Sequence, residues 1–272
     1  MRPMLKSIFL ALIYLIMCIA MVEAQTVNKE KRVGKDPLPD PGLSELMGRP
    51  DSFPPESERH GHFLLALGND DLEEAAWLLK QGVRVNQPFD KSGQTALMLA
   101  QSLKMAELLF THGAKIGIKD ADGGTVLHYA VTREAALELI PFFISHGADI
   151  NARGWEDETP LFVVISYFNE MGSSQTEPVF TGQTNASSVP SPSGRSLAQQ
   201  VIELMAKSGA DLNTLDTYGY TPLMQCTAAD NTELVELLLK LGADKNIKNK
   251  DGSRAIDIAY DLGRRYIYQL LE

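Results

Sequence analysis

Cysteine is nearly absent from the sequence: Cys18 and Cys226 are the two thiols of a 272-residue chain. If the first segment is removed on export, Cys226 stands alone. No intramolecular disulfide can then form, and the fold has to rest on packing. Aromatic residues are also few, at 7%. That share suits thin layers of Leu- and Ala-rich helices better than the thick core of a sheet. Positive charge is in deficit, and a formal net charge of −10 argues against the phosphate contacts on which nucleic-acid binding rests. No nucleophile elbow, phosphate-binding glycine loop or metal-ligand spacing can be read, so no cofactor or metal is expected. An enzyme, of hydrolase type, remains an alternative with a site not visible in the sequence.

Long apolar runs are missing too, except at the start. Arg2 and Lys6 precede the run from Ile8 to Met21, and Val22-Glu23-Ala24 closes it with small residues at the two positions a signal peptidase reads. Residues 1–24 are therefore expected to be a secretory signal cut between Ala24 and Gln25, which places the protein in the periplasm or outside the cell. The loss of Arg2, Lys6 and Glu23 would bring the net charge to −11. The alternative is an uncleaved membrane anchor, although the run falls short of the roughly 20 residues a span needs. A lipoprotein signal at Cys18 is disfavoured by the bulky Met17 before it. Residues 25–57 carry Pro37, Pro39, Pro41, Pro50, Pro54 and Pro55 among charges without apolar periodicity, so they read as an extended linker. A partner-binding peptide with one helical turn over Leu43 to Met47 is the other reading.

What the sequence does have is a recurring unit, cleanest from Asp216 to Ile247. Asp216-Thr217-Tyr218-Gly219 opens a turn, Thr221-Pro222 starts a short helix, and Leu234, Leu237 and Leu238 give a second helix one buried stripe. Gly242 is placed to end that helix in the left-handed conformation, with Lys240 in its last turn. Gly82, Gly113, Gly147, Gly209 and Gly242 all follow apolar helices, at separations of 31, 34, 62 and 33 residues. The long gap is one period plus about 29 inserted residues.

These residues resemble an ankyrin repeat, a helix-turn-helix pair followed by a projecting turn with a period near 33. The resemblance implies an all-α solenoid of stacked pairs over residues 58–272, with β-turn or hairpin loops projecting from it. Its repeats are expected at about 58–89, 90–119, 120–153, 154–215, 216–248 and 249–272. Residues 169–195 form a Ser-, Thr-, Gly- and Pro-rich insertion within the fourth, anchored by Val179-Phe180 and carrying the sequon Asn185-Ala186-Ser187.

Several local expectations follow. The second repeat is three residues short between Thr95 and Gly113, so its helices or their connection should be shortened by about a turn. Pro141, inside the second helix of the third repeat, should kink it. His112 and His146 precede closing glycines and read as helix-end histidines, and His60 and His62 read as a solvated cap rather than a metal pair. His128 occupies the hydrogen-bonding position of the family's Thr-Pro-Leu-His motif, where the other repeats have Met98, Phe162 and Met224. Arg264, Arg265 and Gln269 should face solvent. The final unit reads as a capping repeat, which argues against a further downstream domain.

Repeats of this family bind other proteins through projecting turns and inner helices, so the resemblance implies an interaction scaffold, acting as a monomer, with a protein partner. A chaperone-like accessory of an exported enzyme is a variant of that reading. The contact positions of the family fall on Lys91, Ser92 and Gln94; Ala121, Asp122 and Gly124; Trp155, Glu156 and Glu158; Thr217, Tyr218 and Tyr220; and Lys250, Asp251 and Ser253. Trp155, Tyr218 and Tyr220 are expected as exposed aromatic anchors on adjacent turns, beside Glu156, Asp157 and Glu158. They would suit a partner with an apolar knob flanked by basic residues. The same aromatics could instead pack on neighbouring turns.

Overall fold

The computed structural model describes residues 56–172 and 197–272. The expected signal, most of the linker, the Val179-Phe180 anchor and the Asn185 sequon lie outside the described residues. Among the described residues there are six helix pairs and no strand. The pairs are α1 (Glu56–Gly68) with α2 (Leu72–Lys80); a 3-10 turn (Ala96–Leu99) with α3 (Leu103–Thr111); and α4 (Val126–Ala130) with α5 (Ala136–Ser145). They continue with α6 (Pro160–Gly172) and α7 (Leu197–Lys207), α8 (Pro222–Ala228) and α9 (Thr232–Leu241), and α10 (Ala255–Asp261) and α11 (Arg265–Leu271). Each first helix packs on the first helix of the next pair and each second helix on the next second helix, so the chain stacks in order. Among the described residues no helix is long and apolar enough to cross a membrane.

Local chemistry starts and stops these helices as the pattern requires. Thr221 Oγ1 accepts the Met224 N–H at 3.2 Å and Pro222 occupies the first turn, where its missing N–H costs nothing. All five closing glycines have left-handed φ, from +85° at Gly113 to +99° at Gly242. The buried stripe is Leu, Ala, Val and Ile with a few larger fillers, among them Phe63, Phe143 and Phe162. No pair could bury that stripe alone, because each helix also packs against the neighbouring pairs.

The second repeat is shortened as expected: its first helix is reduced to a single 3-10 turn. Pro141 lies inside α5, as read from the sequence, and the helix spans Ala136–Ser145. The carbonyl left without its helical partner belongs to Leu137, an exposed residue, where water can take the bond. His112 and His146 donate Nδ1–H to the carbonyls of Leu108 (2.9 Å) and Phe142 (2.7 Å), which closes the last turns of α3 and α5. The expectation for Arg264 is corrected: it is half-buried, and its guanidinium reaches back to Asp230 Oδ2 at 2.9 Å. Arg265 and Gln269 are exposed.

Candidate interaction surface

Between pairs, the chain turns back through a loop closed by one backbone bond: Phe89 N–H to Gln94 O, Asp120 to Gly124, Gly154 to Glu158, Asp216 to Tyr220 and Asn249 to Ser253, at 2.9–3.1 Å. In most of them the opening acid or amide folds its side chain over the turn. Asp120 Oδ1 accepts the N–H groups of Asp122 (2.9 Å) and Gly124 (2.7 Å), and Asp216 Oδ1 accepts those of Tyr218 (2.9 Å) and Tyr220 (2.8 Å). Such a turn carries its own donors and needs no ligand to hold its shape.

The turns are also tied to one another. Ala121 N–H donates to Ser92 O at 2.8 Å, Lys119 Nζ to Arg153 O at 3.0 Å, Arg153 Nη1 to Leu215 O at 2.8 Å, and Lys250 Nζ to Thr217 O. Asp120 is the hub of the third and fourth turns. Its Oδ2 accepts the Tyr129 hydroxyl at 2.6 Å and the Trp155 indole N–H at 2.9 Å, while Gln94 Nε2 donates to the same hydroxyl from the second turn. Burial, followed by the bond to Asp120, raises the Tyr129 phenol well above its ordinary range. His128 adds a second tie: Nδ1 accepts the Thr125 N–H at 3.1 Å and Nε2–H donates to Glu158 O at 3.1 Å. That pattern fixes the neutral Nε2–H tautomer, and burial lowers the imidazole pKa accordingly.

This lattice corrects the expectation of exposed aromatics. Trp155 is half-buried, stacked edge-on against His128 (5.5 Å) and Tyr129 (5.0 Å), and Tyr220 is half-buried as well. Both are drawn inward, Trp155 because its N–H has a carboxylate to reach. Tyr218 is the exposed aromatic of the set at 54%. Lys91, Asp122 and Glu156 are exposed on their turns. Glu158 is half-buried; burial and then the nearby charges of Asp216 and Glu156 push its carboxyl up to about 7.

The fourth turn differs from its neighbours. Where the third and fifth place Gly123 and Gly219, it places Asp157 at φ +65°, directly after Glu156 at φ +49°. Two consecutive non-glycine residues in the left-handed region store strain, and the Arg153–Asp157 ion pair at 2.7 Å is too exposed to offset it fully. Sequence reasoning found the turns. It missed Asp120 as a hub, because an aspartate opening a turn gives no sign of what its second oxygen reaches.

Two family models match this chain, one for an ankyrin repeat over residues 122–155 and one for ankyrin repeats in many copies over residues 205–259. The chain contains ankyrin repeats. Curated relatives include neurogenic locus notch homolog protein 1 of Xenopus laevis, 24% identical over 72% of this chain and 7% of its own length. Ankyrin repeat and SOCS box protein 6 of Pongo abelii is 28% identical over 62% of this chain and 36% of its length. The chain thus spans a small part of these relatives. Similar solved structures include a chain of the complex between a predatory endopeptidase from Bdellovibrio bacteriovorus and an immunity protein, with a TM-score of 0.57 and 22% identity over 77% of this chain and 96% of that one. The ankyrin repeat domain of Bcl-3 gives a TM-score of 0.59 and 23% identity, over 77% and 84% respectively. These likenesses establish the fold. Ankyrin repeats indicate a protein–protein interaction scaffold, and such proteins are in general non-catalytic interaction modules.

Proposed function

We propose that this ankyrin protein is a monomeric, non-catalytic scaffold that works after export, in the periplasm or outside the cell, and holds one protein partner on its turn tips. The observation that carries the reading is the strained fourth turn, which holds Glu156 and Asp157 exposed in left-handed backbone beside the turn that exposes Tyr218. Strain retained in a turn that glycine would relax is accounted for by a contact the acidic side chains make. Tyr218 serves as the apolar anchor, with Glu156, Asp122 and Lys91 as the polar rim. Trp155, Tyr220 and Glu158 position the turns from behind. The partner is expected to offer an apolar socket edged with basic groups.

Affinity capture from the exported fraction of the source cell tests this. A specific protein should be retained by the wild type and lost with Tyr218→Ala at unchanged melting temperature. Equal retention by the variant would overturn the reading. If the retained protein is an enzyme, the scaffold is an accessory of that enzyme.

A further inference from the structure

The seam between the second and third repeats lacks a part that three other seams have. Four residues after its closing glycine, a repeat presents an asparagine whose side-chain amide grips the next repeat. Asn86 donates Nδ2–H to Gly113 O at 2.8 Å and accepts Lys115 N–H at 2.8 Å. Asn151 does the same to Gly209 O (3.0 Å) and Asp211 N–H (2.8 Å), and Asn213 accepts Asp244 N–H at 2.8 Å. The corresponding residue of the second repeat is Gly117. The groups it would grip are the carbonyl of Gly147 and the N–H of Asp149, and among the described residues neither has a hydrogen-bond partner. A groove of about 420 Å³ opens at this point, lined by Ile116, Gly117, Gly147, Ala148, Asp149 and Lys119 among others.

We infer that this groove is a binding site for a primary carboxamide, namely an Asn or Gln side chain of a partner polypeptide. The acceptor and donor hold the same repeat positions, closing glycine and second residue after it, as Gly113 and Lys115 under Asn86 and Gly209 and Asp211 under Asn151, so the incoming amide repeats a contact the fold already makes. Its oxygen takes the Asp149 N–H and its NH2 donates to Gly147 O, while Ile116 and Ala148 cover the methylene stem. A carboxylate has no N–H for the Gly147 carbonyl and so makes only one of the two bonds, while Lys119 and Arg153 in the lining offset the Asp149 charge. An aliphatic side chain leaves both backbone groups unpaired. The groove is larger than one side chain and accommodates the flanking backbone of an extended segment. The inference is independent of the turn-tip reading, because the groove contains neither Tyr218 nor Glu156.

Gly117 also supplies the control. Its φ lies outside the left-handed region and a Cβ there would meet nothing within 4 Å, so Gly117→Asn can place the missing amide from within. Titration of the 15N-labelled protein with acetyl-asparagine N-methylamide should shift the Asp149 amide resonance saturably. The aspartate and leucine analogues should bind at least about fivefold more weakly, the equivalent of one hydrogen bond. Gly117→Asn should abolish the response and raise the melting temperature, and Gly117→Ala should keep the response. Equal shifts from all three compounds, or a response that survives Gly117→Asn, would overturn the assignment.

Discussion

The indole N–H of Trp155 lies 2.9 Å from Asp120 Oδ2, and through that bond the tip of one repeat is held by the carboxylate that opens the turn before it. A tryptophan on a projecting loop is thereby converted from a contact residue into a strut. His128 works beside it, because its bond to Glu158 O fixes the far end of the same turn.

Gly154 is what lets these rings approach. A Cβ built on it would stand 2.6 Å from His128 Nε2, so Gly154→Ala must displace the imidazole and break its bond to Glu158 O. We expect a loss of about 1–3 kcal/mol, the cost of leaving a buried polar group unpaired, read by urea denaturation. The His128 side-chain resonances should change tautomer pattern in parallel. An unchanged midpoint would mean that the bridge carries no stability.

Glu158 and His128 give opposite slopes of stability against pH. The Glu158 carboxyl, raised from 4.5 to about 7 in the fold, contributes stability that is full below its unfolded value and lost as pH rises through 7. His128, lowered from 6.5, contributes stability present above 6.5 and lost as pH falls through its folded value. Glu158→Gln removes the first slope alone. The variant should match the wild type near pH 4 and exceed it by about 1–2 kcal/mol near pH 8, in denaturation curves taken across that range. A variant less stable than the wild type at pH 8 would contradict the assignment of the burial penalty to this group.

Glu156→Gly separates stability from contact. Relieving one left-handed non-glycine residue should raise stability by about 1 kcal/mol. The same change removes an exposed carboxylate of the proposed rim, so retention of the partner should fall. Gains in both would show that the strain serves nothing at the turn tips.

Cys226 offers a probe of the stack. It is fully buried on α8, and burial pushes its thiol up to about 12, so it should not react with a disulfide reagent in the native state. Labelling should occur only through opening of the fifth repeat and should accelerate with urea in step with unfolding. Rapid labelling under native conditions would show that this repeat is not held by its neighbours.

The stacking was legible because it is written in short-range chemistry: glycine spacing, the Thr221-Pro222 start and the stripe of Leu234, Leu237 and Leu238. The shortened second repeat was equally plain from the three missing residues. What could not be read was the fate of Trp155 and Tyr220, whose exposure depends on which atom of a neighbouring turn lies within reach. Arg264 was misplaced for the same reason, since Asp230 is its neighbour only after folding.

The central claim is that the turn tips divide into struts that hold the lattice and contacts that meet a partner. Melting temperature and partner retention, measured together on Tyr218→Ala and Trp155→Ala, test it most directly. The account predicts lost retention at unchanged melting for Tyr218→Ala and a clearly lowered melting temperature for Trp155→Ala. The reverse pattern, with Trp155→Ala losing the partner at full stability while Tyr218→Ala retains it, would contradict the claim.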